Sequence, residues 1–432
     1  VKRALTRDNA LVALIVVPPL LLLFWVRQHI VDIPFWDEWD ETGIVLAFHR
    51  GTLTFADLWA QHSEHRILTM RLTLIGLDAL LHHWDPVSEI FLSIAAAIAT
   101  LAGLIVLAFR SVSPSRALLL GVVFSLLVFS IAQYENWTWG FEIAWFYVNA
   151  SLVWSIVLLS ARSRRWMAFA GATMLAAFAT VSMATGPLVW LTGAILIASV
   201  PNRDRLSRFA AWLALGAIVC WFYVSGFVSP GSSGLFAPAT SLVYAVSYLG
   251  IELGGWLGFP GTTIVGAAAI GGVILAVIAI RRDADRERAA RAIPWLALAS
   301  FALAGATLTA LGRASHEADS VFSPRYVTVS QNVWIALAGL AMMYAPPIER
   351  RARIVLFSVG IGVCTGAFAI QQWRMFPNMV TLAWRMDDVR ERLIAGTASD
   401  AVLREIYPNP DVLRRYVTEL RAVREGPLAA GS

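Results

Sequence analysis

Runs of about 20 apolar residues recur along almost the whole of this chain. Each is long enough to cross a hydrocarbon core roughly 30 Å thick at about 1.5 Å per helical residue. Spans are read at 10–27, 87–109, 117–133, 142–160, 167–183, 187–200, 209–227, 260–280, 292–311, 326–345 and 354–372. Only 15% of the residues are charged and 58% are hydrophobic, against about 25% charged in ordinary globular domains. A soluble enzyme, a disordered chain and a disulfide scaffold are thereby excluded, leaving an all-α polytopic membrane protein with about eleven transmembrane helices. Cys220 and Cys364 both sit inside apolar runs, so neither a disulfide framework nor a cysteine-based zinc site is expected. The first run lacks a small-residue cleavage site and reads as a retained span.

Charge sets the topology. Lys2/Arg3/Arg7, Arg110/Arg116, Arg162/Arg164/Arg165, Arg203/Arg205/Arg208, Arg281 to Arg291 and Arg350/Arg351/Arg353 occupy alternate links, whereas 134–141, 184–186 and 228–240 hold no arginine or lysine. This bias places the arginine-rich links and the N-terminus in the cytoplasm, with the C-terminus outside. The net charge of +5 therefore reflects topology and gives no support to a nucleic-acid partner. Two weaker apolar stretches must not cross singly, or every later link would invert. The stretch 66–81 is expected as an amphipathic helix at the outer interface, and 241–257 as a re-entrant or interfacial segment. Residues 1–373 form the expected transmembrane domain, with 28–86 as its first outer segment, and 374–432 a small extracytoplasmic appendage with helical pattern at 379–395 and 410–424.

The unusual polar residues gather on the outer side. Pro34-Phe35-Trp36-Asp37-Glu38-Trp39-Asp40-Glu41 follows the first span, with four carboxylates in five residues. A carboxylate held beside the bilayer is expected to have a raised pKa and to make a better base; solvated loop acids are the plainer reading. The cluster Gln133-Tyr134-Glu135-Asn136-Trp137-Thr138-Trp139-Gly140-Phe141-Glu142 mixes acids, an amide and tryptophans. Sugar recognition wants such a mixture, although Glu142 also suits a helix cap at the interface. The third cluster runs Gly312-Arg313-Ala314-Ser315-His316-Glu317-Ala318-Asp319 and then Ser323-Pro324-Arg325-Tyr326. Arg313 and Arg325 lie on the outer side against the charge bias. Guanidinium there suits phosphate, with headgroup anchoring or a salt bridge to Glu317 or Asp319 as the alternative. In His62-Ser63-Glu64-His65-Arg66, the spacing of His62 and His65 would put both on one helical face, so His62, Glu64 and His65 are weak candidates for a divalent metal.

One span, a long outer segment opening on an acidic motif, and then many spans resembles the GT-C superfamily of polyprenyl-phosphate-sugar-dependent glycosyltransferases. The motifs from Pro34 to Asp40, His62 to Arg66, Gln133 to Asn136 with Trp139-Gly140-Phe141, and Ser323 to Tyr326 look more narrowly like a bacterial membrane-protein group related to it. The resemblance covers about residues 10 to 372 and implies a GT-C-like fold with outer interfacial helices. It implies a first-loop catalytic acid at Asp37, with Glu38 and Asp40 able to share the role, and donor phosphate at Arg313 and Arg325. Glu64, His65, Arg66, Glu135, Asn136, Trp139, Glu142 and Tyr326 are the expected sugar or acceptor contacts. The expected partners are a polyprenyl-phosphate-linked sugar donor, an extracytoplasmic glycan or lipid-linked acceptor and membrane lipids, at a bacterial inner membrane. The resemblance fixes no cofactor, and a divalent metal stays open. Two other readings remain: an O-antigen-ligase-like or polymerase-like enzyme with a diphosphate-linked donor, and a lipid or sugar transporter.

Overall fold

The computed structural model describes residues 2–161, 165–200, 203–228, 238–315, 317–344 and 351–426. Arg162, Arg164, His316, Arg350 and the stretch 229–237, which entered the reading above, lie outside the described residues. Among the described residues, the chain is helical apart from short turns and one hairpin of two-residue strands.

The first span, α1 (Lys2–His29), contains Pro18 and Pro19. Pro19 has no N–H to give the carbonyl of Ile15 four residues earlier, and in a bilayer that oxygen needs another donor. Ser125 supplies it, its hydroxyl donating to Ile15 O at 2.7 Å. A small outer layer follows: α2 (Thr42–His49), α3 (Phe55–Trp59), β1 (Gln61–His62), β2 (His65–Arg66) and α4 (Leu68–Leu81). The expected helix at 66–81 is α4, which buries Met70 and Leu74 and leaves Leu72 and Leu80 exposed.

The bundle continues with α5 (Pro86–Ser111), α6 (Pro114–Val128), α7 (Tyr134–Thr138), α8 (Ile143–Leu159), α9 (Arg165–Thr180), α10 (Leu188–Ser199) and α11 (Arg205–Val224). α5 starts on a capped proline, with Asp85 accepting from Val87 N–H at 3.0 Å, and ends on Arg110, which suits the negative end of the helix dipole. Close packing fixes its neighbour, because a Cβ on Gly103 would come within 2.7 Å of Val153 on α8. Then come α12 (Pro238–Gly254), α13 (Gly258–Arg282), α14 (Arg286–Arg313), α15 (Val327–Tyr344) and α16 (Arg351–Ile394), followed by α17 (Asp400–Leu403) and α18 (Pro410–Val423). Asn332 on α15 donates to Asn149 on α8 at 2.8 Å, an interhelical bond that holds the two in register.

Eight helical stretches among the described residues are long and apolar enough to cross a membrane. All eleven spans of the sequence reading fall on helices, the others being α9 with 16 residues, α10 with 12 and the first part of α16. The fold is that of an all-α polytopic membrane protein. Tyr244 on α12 bonds Ser320 at 2.9 Å, and just past the end of the helix Trp256 N–H reaches Gln371, whose neighbour Gln372 accepts from Ile131 N–H. A turn at Gly258, with φ of +70°, reverses the chain into α13.

The C-terminal residues differ from the expected appendage. The boundary at 373/374 falls inside α16, which runs unbroken for 44 residues through Pro377. Met386, Val389 and Leu393 on this helix, Leu403 and Ile406, and Leu413, Val417 and Leu420 of α18 share one hydrophobic core with Ile33, Trp39, Val45, Met70, Leu74, Trp84 and Trp139. Apolar burial therefore joins the two outer pieces into one layer capping the bundle.

Candidate active site

The acidic motif leaves α1 through a 3-10 turn, Trp36–Glu41. In this geometry residues three apart share a face, so the four carboxylates separate into two pairs. Glu38 and Glu41 point inward, each 1% exposed, while Asp37 is half-buried and Asp40 is exposed. Trp36 enters the turn with φ of +45°, an unfavourable backbone for a side chain with a Cβ. Its N–H is pinned to Ile406 O at 2.8 Å, and its indole stays 40% exposed.

The inward pair is structural. Arg71 grips Glu41 through two bonds, at 2.7 and 3.1 Å, and donates also to the carbonyls of Asp57, Leu58 and Ala60. Glu38 accepts from Phe35 N–H at 3.0 Å, and its other oxygen has no hydrogen-bond partner. Gly140 fits over that oxygen; a Cβ there would approach it to 2.7 Å. Burial, with Glu89 beside it, pushes the Glu38 carboxyl well above its usual range.

The outward pair meets the histidine hairpin. His62 and His65 face each other across β1 and β2, around a turn at Ser63 with φ of +45°. They are cross-strand partners, not neighbours on a helical face as their spacing suggested. His62 Nε2 lies 3.7 Å from Asp37 Oδ2 and Nδ1 lies 3.7 Å from Glu41 Oε1, ion-pair distances longer than hydrogen bonds. Its ring packs against Phe141 with centroids 5.2 Å apart. Burial alone would raise the Asp37 carboxyl, but His62, Arg325 and His65 outweigh it and hold the group below its ordinary value. This reverses the direction expected from the sequence, which considered the bilayer and not the cations that the fold brings in. Burial opposes charge on His62 as well, yet Asp37, Glu41 and Asp40 raise it. His65 drops to about 4, chiefly through burial; Glu64 opposes the shift and His62 and Arg313 add to it.

Arg325 comes from a distant part of the sequence. It sits in a 3-10 turn, Pro324–Tyr326, that starts α15. Asn136 fixes this turn by donating to Arg325 O at 3.1 Å and to Thr328 Oγ1 at 2.7 Å. The guanidinium is 30% exposed, 3.9 Å from Glu142, and lies over the Tyr326 ring. Glu135 accepts from Ser323 at 3.2 Å on the same turn. The charge of Arg325 acts on Asp37, so a guanidinium at the start of α15 lies within electrostatic reach of the carboxylate that follows α1. No family model matches this sequence, and no curated protein matches it. A solved structure that is similar is the apo form of the Archaeoglobus fulgidus oligosaccharyltransferase. The identity is 10% and the TM-score 0.47, over 84% of this chain and 56% of that one. The chain thus spans little more than half the length of that structure.

The other expected residues separate into groups. Arg313 is held by Glu64 and, at 3.3 Å, by Glu317, so its charge is already matched. Arg66 is committed to main-chain carbonyls: Nε donates to Tyr223 O at 2.8 Å, one terminal nitrogen to Trp59 O at 2.6 Å and the other to Ser225 O at 2.7 Å. It ties the hairpin to the end of α11, with three of its five N–H donors taken by main-chain carbonyls and the side chain only 5% exposed. Trp139 and Tyr326 are each 4% exposed, packed on Phe35 and Phe141 and on Tyr248 and Trp145 respectively, and offer no open ring face. Asn136 is fully buried and positions Arg325. Tyr407, which donates to Asp40 at 2.6 Å, had no signal in the sequence because only the fold brings it there.

Asp37, Asp40 and His62 can each offer one ligand atom, all within 4.8 Å of one another. His62 Nε2 is buried without a hydrogen-bond partner. Two carboxylates and an imidazole with a free nitrogen fit a divalent cation. This set replaces His62, Glu64 and His65 as the metal candidate, since Glu64 is taken by Arg313.

Proposed function

We propose that this chain is a membrane glycosyltransferase of GT-C type that moves a sugar from a polyprenyl-phosphate donor to an extracytoplasmic hydroxyl acceptor, a glycan or a lipid-linked saccharide, with inversion. The observation that supports the reading is a polar cluster at one end of the helix bundle, with half-buried Asp37 beside His62 and partly exposed Arg325 beside Glu142, near enough for the arginine's charge to act on the Asp37 carboxylate. Arg110, Arg165, Arg205, Arg208, Arg286 and Arg291 lie at the other end, which through the positive-inside bias supports a site on the outer face of a bacterial inner membrane, with the N-terminus in the cytoplasm.

The reaction needs few groups. The acceptor oxygen attacks the anomeric carbon from the face opposite the phosphate, and its proton passes to an oxygen of Asp37. The bond from the anomeric carbon to the phosphate oxygen breaks, and polyprenyl phosphate leaves with the electron pair. Arg325 stabilises the charge on the departing phosphate. The low pKa of Asp37 keeps it ionised and makes it a weak base, so it takes the proton late, as the forming bond acidifies the hydroxyl. Asp37, Asp40 and His62 would hold a divalent cation, whose charge would add to that of Arg325 beside the leaving phosphate. Exposed Trp36, in the same turn as Asp37, offers the open aromatic face that Trp139 lacks.

The test is transfer by purified protein from a polyprenyl-phosphate-linked sugar, with Asp37→Asn beside the native chain. Asp37→Asn is expected to lower turnover by about 10²- to 10⁴-fold with donor affinity retained. Undiminished transfer by Asp37→Asn would favour a ligase-like or polymerase-like enzyme that needs no first-loop base. Uptake of substrate into vesicles without covalent product would favour a transporter.

A further inference from the structure

A cavity of about 960 Å³ opens at the opposite end of the bundle from Asp37, where α5, α8, α9, α10, α11 and α14 end or begin. Glu89 lies at the start of α5 beside the site and Arg110 lines the cavity at its end, roughly 30 Å apart at 1.5 Å per residue. Six arginines line the cavity: Arg110, Arg165, Arg205, Arg208, Arg286 and Arg291. They come from four different helices, and Glu287 is the one acid among the described lining residues. A positive-inside bias accounts for arginines in loops near the bilayer. It does not account for guanidinium groups from four helices turned onto one concavity, where they repel one another.

Asp204 offsets part of this repulsion at Arg208, while two acids at the start of α14 are turned to other partners. Asp283 is bonded to Arg288 on both oxygens at 2.7 Å, and Asp285 caps α14 through the N–H groups of Glu287 and Arg288. Arg208 is only 5% exposed and its guanidinium lies over the Phe169 ring, yet its Nε has no hydrogen-bond partner. Arg291 Nε is likewise buried and unpaired. A buried donor on a permanently charged group is costly to leave unmatched. Ordered neighbours hold the wall: Arg110 donates to Val157 O at 2.7 Å, and Trp295 to Ser111 at 3.0 Å. Leu107, Leu196 and Val200 add apolar surface beside the arginines.

We propose that this cavity binds a phosphate-bearing ligand, with Arg208 and Arg291 completing their hydrogen bonds on its oxygens and Arg110, Arg205 and Arg286 adding positive charge around it. Guanidinium forks suit phosphate oxygens. The volume accommodates a diphosphate with part of an apolar substituent. Both an anionic lipid headgroup, for which basic pockets between helices are suited, and a soluble polyphosphate have this chemistry. The site is independent of Asp37 and stands whether or not the transferase reading does.

The experiment measures binding of two probes to the full chain: inorganic pyrophosphate to protein in neutral detergent, and phosphatidic acid to protein in phosphatidylcholine nanodiscs. Saturable binding of at least one probe is expected, weakened about tenfold or more by Arg208→Gln and by Arg291→Gln. Arg281→Gln, an exposed arginine outside the cavity, and Asp37→Asn should leave it within about twofold. Pyrophosphate binding alone assigns a soluble ligand, and phosphatidic acid binding alone assigns a headgroup. Exposed Arg205→Gln gives the same reading, with a smaller loss, should the Arg208 variant not fold. No saturable binding of either probe would overturn the proposal, as would binding that Arg281→Gln weakens as much as the cavity variants do.

Discussion

Replacing Arg66 by methionine keeps the apolar stem and removes every donor. Three carbonyls then lose their partner: Tyr223 O, which is buried, and Trp59 O and Ser225 O, which are partly buried. A charged hydrogen bond to a buried acceptor contributes about 1.5–3 kcal/mol, and the other two, which water can partly replace, about 1 kcal/mol each. The guanidinium also lies 5.1 Å from the Trp59 ring centroid, worth about 0.5–1 kcal/mol at a partly exposed site. Methionine recovers some packing, leaving an expected loss of about 3–5 kcal/mol. Arg66→Lys, a single point donor, should restore about a third of it. Thermal unfolding in detergent reads the loss, and hydrogen exchange localises it to residues 59–66 and 223–225. An Arg66→Met chain as stable as the native one, but with weaker sugar acceptor binding, would refute this reasoning and return Arg66 to the substrate.

Gly140→Ala should destabilise the outer layer by about 1–3 kcal/mol, because the new methyl would meet Glu38 Oε1 at 2.7 Å and Pro86 O at 2.8 Å; thermal unfolding checks it. Burial, with Asp85 adding and Arg390 and His83 opposing, raises Asp32 from 3.8 to about 6, so the folded chain holds this proton more tightly than the unfolded one. The resulting penalty is absent below about pH 4, grows as pH rises through about 6 and is then constant. Asp32→Asn should therefore stabilise by roughly 2–3 kcal/mol at about pH 8 and by nothing near pH 3.5, as read from melts across that range. Arg325→Gln should cut kcat/KM for sugar transfer by about 10²-fold or more. Arg313→Gln should cut it by less than about tenfold, since Glu64 and Glu317 already match that charge.

The bundle was legible because a span needs nothing beyond enough apolar residues, and all eleven runs fall on helices. The site was legible in its members and not in their roles. Asp37, Glu38, Asp40 and Glu41 are chemically alike, and only the 3-10 turn assigns two to the surface and two to the interior. The spacing of three between like-placed acids was the available signal. His62 and His65 also fit a helix, and strands of two residues are too short to show alternation. Trp139 and Tyr326 sit near helix starts, where an aromatic residue reads alike whether it faces headgroups, a sugar or a core. The continuity of α16 was not legible because the apolar run ends near residue 372 and charged residues follow, while helical continuation through Pro377 sacrifices a backbone hydrogen bond.

A double-mutant cycle on kcat/KM for sugar transfer, with Asp37→Asn and Arg325→Gln made singly and together, asks most directly whether carboxylate and guanidinium serve one reacting centre. Groups that act on the same transition state are not additive. The two losses are expected to overlap, so that the double variant falls short of their product by about tenfold or more. Losses that multiply to within about twofold would mean that the two residues act apart, and the proposed reaction would lose its site.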